Sequence, residues 1–321
     1  MKNLVICLDG TFNGMHTVSP HTTNIAFIAD AAGDTDSGNP QMPNQVVHYE
    51  DGVGVGSLVF DKYISGAFGY GVFTQARRAW KFIKLNYQIG DKIFIFGFSR
   101  GAYAAKQLAS MIVHCGVGNT LYDNLESDYR AWFKLAGTHV ESPRQMVEFL
   151  GLFDCVPGNR FTGNSADRAR LNSPDLEAGI KHFRHALARD ERRWSFSPIV
   201  FRPNTATESF QQIVFPGFHC DVGGGGLSTE GLSTVPMWWI MREAYGLGAG
   251  FRMLQCTWKH REGPSTFIGN LNLEAKSVRS DYPWTRWLHY TRTSESLFAS
   301  LPTAPDVFSM DACPLCGLAM F

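Results

Sequence analysis

A serine between two glycines is the residue in this sequence best suited to carry out chemistry. The spacing G-x-S-x-G occurs at Gly97-Phe98-Ser99-Arg100-Gly101, directly after the apolar run Ile93–Phe96 and before a stretch of good helix formers. Between a strand and a helix, this spacing is typical of a nucleophile elbow, a sharp turn that exposes the serine hydroxyl at a helix N-terminus. We therefore predict that Ser99 is a nucleophile. The alternative is a tight turn in which Ser99 only caps the helix.

A serine nucleophile needs a base to take its proton and a third group to orient that base. In α/β-hydrolase sheets these groups follow the serine in the order acid, then histidine. Asp154 ends the apolar run Phe149–Phe153, and His219 follows the run Gln212–Phe215. Because both residues follow strand-like runs, as Ser99 does, we predict His219 as the general base and Asp154 as its orienting carboxylate.

Other residues compete for these two roles. Asp154 could instead only cap a turn. Its main rival as the orienting carboxylate is Asp221, which stands two residues from His219. Side chains at i and i+2 of an extended segment leave on the same side, so Asp221 can also serve as a supporting carboxylate that fixes the loop. The rival bases are His185 and His289. Of these, His289 is the more serious, because many hydrolases place their histidine near the C-terminus.

An oxyanion hole needs two backbone N–H donors near the serine. One donor is predicted at Arg100, the residue after the nucleophile, and the second at Thr11, in the loop Asp9–Asn13 after the first strand-like run. Losing one such donor typically removes about 2.7–4 kcal/mol of transition-state stabilisation. We expect Asp9 and Asn13 to fix this loop rather than to take part in chemistry.

Two phosphate-binding classes of enzyme share part of this pattern. Haloacid-dehalogenase-type phosphatases begin with an apolar strand and D-x-D-G-T, and their nucleophile is the first aspartate. Here Asp9-Gly10-Thr11 matches the end of that motif, but Cys7 holds the position of the nucleophile. Gly52-Val53-Gly54 also follows a strand-like run, but it lacks the lysine and the serine or threonine of a P-loop. We therefore interpret Gly52–Gly54 as a turn and keep Asp9–Thr11 as part of the predicted oxyanion loop.

No combination of histidine and cysteine predicts a metal site or a cofactor. His182 and His185 are three residues apart on a predicted helix, but no third ligand is evident. Cys313 and Cys316 form a lone pair, whereas a zinc ribbon needs a second pair at matching spacing. The charge run Asp190–Arg193, placed after that predicted helix, is interpreted as an ion-pair network.

The elements that must position these residues alternate along the chain. Short apolar runs predict strands at 4–8, 45–49, 93–96, 149–153 and 212–215, and amphipathic or helix-forming stretches predict helices at 73–87, 101–113 and 232–245. This alternation favours an α/β fold, specifically an α/β-hydrolase fold with a mostly parallel central sheet flanked by helices. Function in such sheets gathers at the carboxyl ends of the strands, where the polar clusters described above begin.

A single α/β-hydrolase domain over residues 1–321 is predicted. It carries lid-like insertions near 54–71 and 118–143 and a C-terminal extension near 250–321. The sequence is 44% hydrophobic and 18% charged, which allows a large core and excludes wholesale disorder. Basic and acidic residues balance at 29 each, so charge gives no reason to expect nucleic acid as a partner.

The sequence shows no targeting or membrane-spanning segment. No apolar run approaches the roughly 18 residues of a membrane helix. The apolar N-terminal run is shorter than the secretory core of about 7–15 residues. Seven scattered cysteines do not fit a disulfide framework. We therefore expect synthesis in the cytoplasm without a signal peptide, which leaves signal-independent export open.

Several ordered motifs together resemble a known family. They are Leu8–Asn13, Gly52–Gly54, Gly97–Tyr103, Phe153-Asp154, Asp190–Arg193 and Phe215–Gly224. They are similar to the uncharacterised α/β-hydrolase domain family that includes the first class of type VI secretion lipase effectors. The resemblance implies a Ser-Asp-His hydrolase that attacks membrane glycerophospholipids, with its triad at Ser99, Asp154 and His219. It also implies a secretion apparatus or an immunity protein as a partner.

The sequence therefore predicts a serine hydrolase that cleaves carboxylic esters through an acyl-enzyme. Lipid or phospholipid acyl esters are the expected substrates, bound under the aromatic segment Val59–Phe73 with transient contact to a membrane surface. One alternative is a carboxylesterase acting on soluble esters. The other is a non-catalytic α/β-hydrolase scaffold that serves as a binding protein, which would have no need of all three residues of the triad.

Overall fold

Six short segments of mostly apolar sequence form one parallel β-sheet. The computed structural model describes residues 1–11, 23–33, 43–52, 65–117, 125–138, 142–157, 165–193, 196–226, 232–251 and 301. The strands within these ranges are β1 (Asn3–Leu8), β2 (Gln45–Glu50), β3 (Lys92–Phe98), β4 (Val147–Phe153), β5 (Ile180–Ala188) and β6 (Ser209–Phe215). Their order across the sheet is β2-β1-β3-β4-β5-β6, and every neighbouring pair is parallel. The predicted α/β-hydrolase fold is confirmed.

Burial on both faces explains why most of these strands are apolar throughout. Every residue of β1 is buried, and in β3 only Lys92, at the amino end, is exposed. Strands covered on both faces by helices have near-continuous apolar sequences instead of alternating ones. The predicted strands at 4–8, 45–49, 93–96, 149–153 and 212–215 fall within β1, β2, β3, β4 and β6, respectively.

Helices cover both faces of the sheet. In the described part of the chain they are α1 (Asn24–Ala32), α2 (Ser65–Asn86), α3 (Arg100–Cys115), α4 (Leu125–Leu135), α5 (Ser165–Leu171), α6 (His219–Gly223) and α7 (Thr234–Gly246). The predicted helical stretches at 73–87, 101–113 and 232–245 coincide closely with parts of α2, α3 and α7. Among the described helices, none has both the length and the apolar character needed to cross a membrane.

The core consists of two apolar layers, one on each face of the sheet. Helices α2, α3 and α4 cover the first layer, which contains the fully buried Trp80 and Trp132. Helices α1 and α7 cover the second layer, which contains the fully buried Phe149 and the nearly inaccessible Trp239. Large aromatic side chains dominate the energetics of such layers. Their packing fixes the strands, and with them the six strand ends from which the polar residues emerge.

The strand that the sequence pattern did not indicate is β5. We predicted a helix around His182 and His185, and that prediction is wrong because Ile180–Ala188 pairs with β4 and β6. Residues three apart on a strand point to opposite faces, so the two histidines do not form a metal pair. Polar side chains interrupt the apolar pattern of β5, yet they have partners: Arg184 donates to Glu243 Oε2 from Nε at 2.8 Å and from Nη2 at 2.6 Å.

The predicted insertion near 118–143 contributes to the core. Its residues Leu125–Leu135 form α4, which lies against α3. On α4, Trp132 is fully buried and donates from Nε1 to Ser110 Oγ at 2.9 Å. The described part of this insertion therefore stabilises the layer of helices over the sheet, and a lid role for it stays a prediction.

The other predicted additions fall largely outside the described residues. Of the insertion near 54–71, residues 65–71 belong to the first turns of α2. The extension near 250–321 is described only at residues 250, 251 and 301. Its His289, Cys313 and Cys316 consequently lie outside the described part of the chain.

Candidate active site

Ser99 lies in a strained turn between β3 and α3. Its φ of 58° is in the left-handed region, which residues other than glycine seldom adopt. A Cβ on Gly97 would lie 2.6 Å from the Cα of Ala102. A Cβ on Gly101 would collide with the carbonyl oxygen of Asp9. The two glycines of G-x-S-x-G are therefore required sterically, because any larger residue would strike neighbouring backbone.

Ser99, His219 and Asp154 form a continuous line of hydrogen bonds at the carboxyl ends of the strands. Ser99 Oγ lies 2.7 Å from His219 Nε2, and His219 Nδ1 lies 2.6 Å from Asp154 Oδ2. The exposed fractions of these residues are 5%, 3% and 0% for Ser99, His219 and Asp154. An ionised carboxylate can only accept, so Nδ1 carries the proton and Nε2 accepts from the serine hydroxyl. The imidazole is thus held in the tautomer that a general base requires.

Asp154 is fixed as tightly as the serine. It follows β4 with a φ of 40°, and its Oδ1 accepts from the Ala188 N–H at 3.1 Å while Oδ2 faces His219. Its own N–H donates to the Ala186 carbonyl at 2.7 Å. The backbone at the end of β5 therefore holds both the main chain of Asp154 and one of its carboxylate oxygens, which limits the directions in which the carboxylate can turn.

Burial sets the charge state of His219. It lowers the pKa of the imidazole, while the hydrogen bond and negative charge of Asp154 act in the opposite direction. The net effect is a pKa below the ordinary value for histidine. At neutral pH the ring is therefore neutral, which is the state in which Nε2 can take a proton.

Two aromatic rings hold the imidazole in place. Phe98, which precedes Ser99, and Phe196 each have a ring centroid 4.7 Å from that of His219. Phe98 packs at a tilt of 32°, and Phe196 packs edge to face at 75°. Such contacts exclude water from the sides of the ring and restrict its rotation.

The charge run Asp190–Arg193 supports the segment that carries His219. Glu191 accepts from Arg193 Nε at 2.9 Å and Nη2 at 2.7 Å, and its Oε2 accepts from the His219 N–H at 3.3 Å. Asp190 Oδ2 accepts from the Gly217 N–H at 2.7 Å. The run follows strand β5, not the helix that we predicted, and it ties the end of that strand to the loop before α6.

Asp221, the rival acid, has a different partner. Its Oδ2 accepts from the Phe218 N–H at 2.7 Å, so the carboxylate closes the first turn of α6. Burial raises its pKa above the ordinary value for aspartate. The carboxylate that the structure places at His219 Nδ1 is that of Asp154.

Asp9 anchors the loop predicted to contribute to the oxyanion hole. It is only 1% exposed. Its Oδ1 accepts from the Gly10 N–H at 2.6 Å, and its Oδ2 accepts from Thr23 Oγ1 and the Tyr49 hydroxyl, each at 2.6 Å. Burial raises the pKa of Asp9 to about 6, and the three hydrogen bonds oppose that rise. The carboxylate thus joins the ends of β1 and β2 and the start of α1.

The two predicted oxyanion donors lie on segments that touch. Arg100 is the first residue of α3, and Thr11 follows Gly10 after the end of β1. Gly101 of α3 lies directly against the Asp9 carbonyl, so the helix N-terminus abuts this loop. Backbone N–H groups at a helix N-terminus favour developing negative charge. Asn13, the other residue expected to fix the loop, lies outside the described residues.

Other candidate residues are occupied elsewhere. His185 is completely buried, its Nε2 accepts from the Cys155 N–H at 3.0 Å, and its Nδ1 lies 3.1 Å from Gln212 Oε1. From its place on β5 it therefore links the residue after β4 to β6, and its two ring nitrogens are directed to Cys155 and Gln212 rather than to Ser99. Burial raises the pKa of the Cys7 thiol far above its ordinary value, and Asp9 raises it further. Among the described residues, no group of histidine, cysteine and acidic side chains has a metal-binding arrangement.

Sequence reasoning missed the side chains that hold the site in shape. Thr23, Tyr49 and Phe196 were not singled out, although each contacts Asp9 or His219. Tyr49 stands at the end of the predicted second strand, so its nearness to the first strand end was the available signal. Thr23 and Phe196 lie in segments whose sequence carries no such pattern.

The chain has the α/β-hydrolase fold, and its strand ends carry Ser99, Asp154 and His219 in one line of hydrogen bonds. Comparison with known families agrees with that class. The profile of the family described as "T6SS, Phospholipase effector Tle1-like, catalytic domain" matches residues 2–243. The chain belongs to this family, and it is thereby related to the phospholipase effectors of type VI secretion.

Three similar proteins are distant and longer than this chain. An uncharacterized protein of Saccharomyces cerevisiae is 27% identical over an alignment of 241 residues, and the alignment covers 63% of this chain and 33% of the relative. A crystal structure of an uncharacterized protein from Pseudomonas aeruginosa has 18% identity and a TM-score of 0.45, covering 83% of this chain and 47% of that one.

A second solved structure is that of the Tle1 effector bound to the VgrG spike from the type 6 secretion system. It has 20% identity and a TM-score of 0.40, covering 69% of this chain and 50% of that one. This chain thus spans about a third of the curated relative and about half of each solved chain.

Proposed function

We propose that this protein is a serine hydrolase that cleaves carboxylic esters of lipids, with phospholipid acyl esters as the preferred substrates. The observation that carries the proposal is the line from Ser99 Oγ through the His219 imidazole to Asp154, with distances of 2.7 and 2.6 Å. Nucleophile, base and orienting group are each within hydrogen-bond reach of the next, as nucleophilic catalysis by serine requires.

In the proposed reaction His219 Nε2 takes the proton of Ser99 as Oγ attacks the ester carbonyl. The tetrahedral oxyanion is held by the N–H groups of Arg100 and Thr11. His219 then gives the proton to the leaving alcohol, and an acyl-enzyme remains on Ser99. A water molecule, deprotonated by His219, releases the fatty acid and restores the serine. Asp154 stabilises the imidazolium in both halves of the cycle without itself being protonated.

Membership of a phospholipase effector family supports lipids as the substrate class. The low exposure of Ser99 and His219 also fits a substrate that leaves water before it reacts, because excluding water strengthens the electrostatic contacts in the site. A carboxylesterase for soluble esters is the alternative. A hydrolysis rate that rises sharply when the substrate passes from monomers to micelles supports the lipase. A rate that shows no such rise supports the esterase.

The activity and the partners of the whole protein are part of this proposal, because the chain covers only a third to a half of the length of its relatives. The family is named for type VI secretion, and one similar structure is described as an effector bound to a VgrG spike. We therefore include the secretion apparatus and an immunity protein as proposed partners, and transient contact with a membrane surface during catalysis. Co-purification of the tagged protein with the VgrG spike of its own host tests the first of these partners.

Two measurements test the nucleophile. A fluorophosphonate probe should label the folded wild-type protein and should not label Ser99→Ala. Turnover of a phospholipid by Ser99→Ala should fall by about 10⁶-fold if the three side chains act as a unit. Ser173→Ala is the matched control, because Ser173 is only partly buried and its hydroxyl hydrogen-bonds to Asp175 in its own turn.

The scaffold hypothesis makes the opposite prediction. A protein that only binds its ligand should show no labelling in the wild type, although circular dichroism shows that it is folded. Wild-type turnover that persists in Ser99→Ala would contradict the serine mechanism directly.

A further inference from the structure

A glutamine of α2 lies where the first two strands end. Gln75 is only 1% exposed. Its Nε2 donates to the carbonyl oxygens of Asp9 and Asp51, each at 3.1 Å, with a longer contact of 3.4 Å to that of Glu50. Asp9 follows β1, and Glu50 and Asp51 stand at the end of β2. One amide group thus joins α2 to the two strand ends beside the predicted oxyanion loop.

The peptide group between Asp9 and Gly10 is held at both of its ends. Its carbonyl oxygen accepts from Gln75 Nε2 at 3.1 Å, and its N–H donates to Asp9 Oδ1 at 2.6 Å. A Cβ on Gly101 would lie 2.4 Å from the same carbonyl oxygen, so the first turn of α3 confines it as well. The peptide plane is therefore fixed relative to both α2 and α3.

This plane would rotate easily if it were not fixed. It precedes a glycine, and glycine adopts positive and negative φ about equally readily, so rotation meets little steric resistance. The Gly10 N–H is bonded to the Asp9 carboxylate, and the next N–H along the loop is that of Thr11, the proposed oxyanion donor. The direction of the plane sets the path of the chain through Gly10, so the position of the Thr11 N–H depends on it.

The surroundings of Gln75 call for a donor instead of an apolar side chain. An oxygen in the place of Nε2 would face three carbonyl oxygens, so these acceptors set the orientation of the amide. Gln75 Oε1 has no hydrogen-bond partner among the described residues, which costs stability that an apolar side chain would save. Side chains that cost stability in this way are expected at functional sites.

We infer that Gln75 is a positioning residue of the oxyanion hole, which acts on the Thr11 N–H through the peptide group between Asp9 and Gly10. This inference rests on the proposed ester hydrolase function, and it gives Gln75 no contact with the substrate. Oxyanion donors bind the charge that develops in the transition state, so a displaced donor weakens binding of the transition state and not of the substrate. A displacement of about 1 Å is sufficient to lower turnover by about 10²-fold.

The competing explanation is that Gln75 only stabilises the fold. Gln107 offers a matched control, because it is a second buried helical glutamine whose Nε2 donates to a backbone carbonyl, that of Leu171, at 3.0 Å. Leu171 ends α5 and does not belong to the oxyanion loop. Gln75→Met and Gln107→Met each remove an amide donor and keep the length of the side chain, so both should lower the melting temperature.

The test compares the two variants on p-nitrophenyl butyrate, a monomeric ester. For Gln75→Met we expect kcat and kcat/KM to fall by the same factor, about 10²-fold, with KM unchanged, because the lost interaction is made only in the transition state. Gln107→Met should keep the kcat of the wild type.

A trifluoromethyl ketone with the matching alkyl chain gives a second readout that needs no turnover. Ser99 Oγ adds to its carbonyl carbon while the serine proton passes to His219, which leaves a tetrahedral oxyanion in the proposed hole. The affinity for this ketone should fall in Gln75→Met by the same factor as kcat/KM and should be unchanged in Gln107→Met.

Gln75→Asn covers the case in which Gln75→Met does not fold. It keeps a buried amide but is one methylene shorter, so its Nδ2 falls short of the Asp9 carbonyl. We expect the same parallel fall of kcat and kcat/KM, with Gln107→Asn as the control that keeps both. Failure of both Gln75 variants to fold, while both Gln107 variants fold, would assign Gln75 to the fold and overturn the inference.

The remaining outcomes separate the positioning role from the proposed function. Equal kcat per folded molecule in Gln75→Met and Gln107→Met would overturn the role of Gln75 and leave the hydrolase intact. A raised KM at constant kcat would also overturn it, because Gln75 would then act in substrate binding. A folded wild-type protein that neither cleaves the ester nor binds the ketone would overturn the hydrolase function, and the role of Gln75 with it.

Discussion

Ser99 and Asp154 are the two residues other than glycine, among those the structure describes, that have a positive φ, and the turns that contain them are bonded to each other. The Ser99 N–H donates to the Phe153 carbonyl at 3.0 Å, and the Val156 N–H donates to the Ser99 carbonyl at 3.2 Å. Strained backbone of this kind persists only where surrounding structure enforces it, and it concentrates at functional sites. Here the strained backbone directs the side chains of Ser99 and Asp154, which follow the neighbouring strands β3 and β4, toward the imidazole of His219.

Removing the charge of Asp154 should disable the site without changing its shape. In Asp154→Asn the amide can donate to Nδ1, which favours the tautomer with its proton on Nε2 and leaves no acceptor for the serine hydroxyl. We expect turnover to fall by about 10⁴-fold, as the change of tautomer does in serine proteases. The measurement is kcat on a soluble ester, with the fold monitored by circular dichroism.

Asp167→Asn is the control for that experiment. Asp167 lies on the short helix α5 and pairs with Arg170 at 3.0 Å, outside the line of hydrogen bonds. Its removal should leave kcat within the error of the assay. If Asp154→Asn were equally harmless, another group would have to orient His219.

A methyl group at Gly101 should separate the serine turn from the loop after β1. The added Cβ of Gly101→Ala would collide with the carbonyl oxygens of Leu8 and Asp9, so the backbone must move. We expect a loss of about 1–3 kcal/mol in the free energy of unfolding from overpacking. Displacement of the oxyanion donors should also lower kcat by about 10²-fold. Thermal and urea unfolding measure the first effect, and ester hydrolysis measures the second.

Gly246→Ala provides a contrasting glycine. It ends α7, and a Cβ there would meet nothing within 4 Å. The substitution should be neutral or should stabilise the protein by up to about 1 kcal/mol, because alanine favours helix. Activity should not change. Equal destabilisation by both alanines would contradict the assigned contact between Gly101 and the loop.

The sequence alone was sufficient to predict those strands that are covered by apolar side chains on both faces of the sheet. Runs such as Ile93–Phe96 predict buried strands because burial alone selects their residues. β5 escaped prediction because His182, Arg184 and His185 interrupt its apolar pattern, and their partners Ser209, Glu243 and Gln212 lie on β6 and α7. Such polar positions make sense only after distant elements have packed together.

The same division applies to the site. Ser99, Asp154 and His219 could be proposed from the sequence because each follows a strand-like run and strand ends converge in a parallel sheet. Phe196 and Thr23 could not, because neither follows a strand end. Their contacts with His219 and Asp9 arise from the path of connecting segments, which residue spacing does not encode.

Two buried histidines should respond in opposite ways to substitution. His219→Asn removes the proposed base and should lower kcat by about 10⁶-fold while the protein stays folded. His185→Asn removes an acceptor for the Cys155 N–H, which should cost about 1–3 kcal/mol of unfolding free energy. Activity per folded molecule should stay within about tenfold of wild type, since both ring nitrogens of His185 are directed to Cys155 and Gln212 rather than to Ser99. A complete loss of activity in folded His185→Asn would point to a role for this ring in catalysis.

The acid limb of the pH–rate profile should report on Asp9 as well as on His219. Burial lowers the pKa of His219 below its ordinary value, so the base becomes protonated at a lower pH than an ordinary histidine does. Burial raises the pKa of Asp9 to about 6. Below that pH the carboxyl is protonated and loses its capacity to accept from Gly10, Thr23 and Tyr49 together. Activity should therefore fall with a midpoint near pH 6 as the oxyanion loop loosens, which initial rates in buffers of constant ionic strength will measure.

Stability should move in the opposite direction to activity over the same range. The folded pKa of Asp9 lies above its unfolded value of 3.8, so the folded state binds this proton more tightly. Its contribution to stability thus rises as the pH falls from about 6 to about 4, by on the order of 2–3 kcal/mol. Asp9→Asn removes this titration and leaves that of His219, so the difference in unfolding free energy between wild type and variant isolates Asp9.

The Asp9→Asn variant should be less active at neutral pH, and its activity should no longer fall with a midpoint near pH 6. Asp175→Asn, at an exposed ion pair, should keep that midpoint. An unchanged midpoint in Asp9→Asn would assign the acid limb to His219 and remove Asp9 from control of the oxyanion loop.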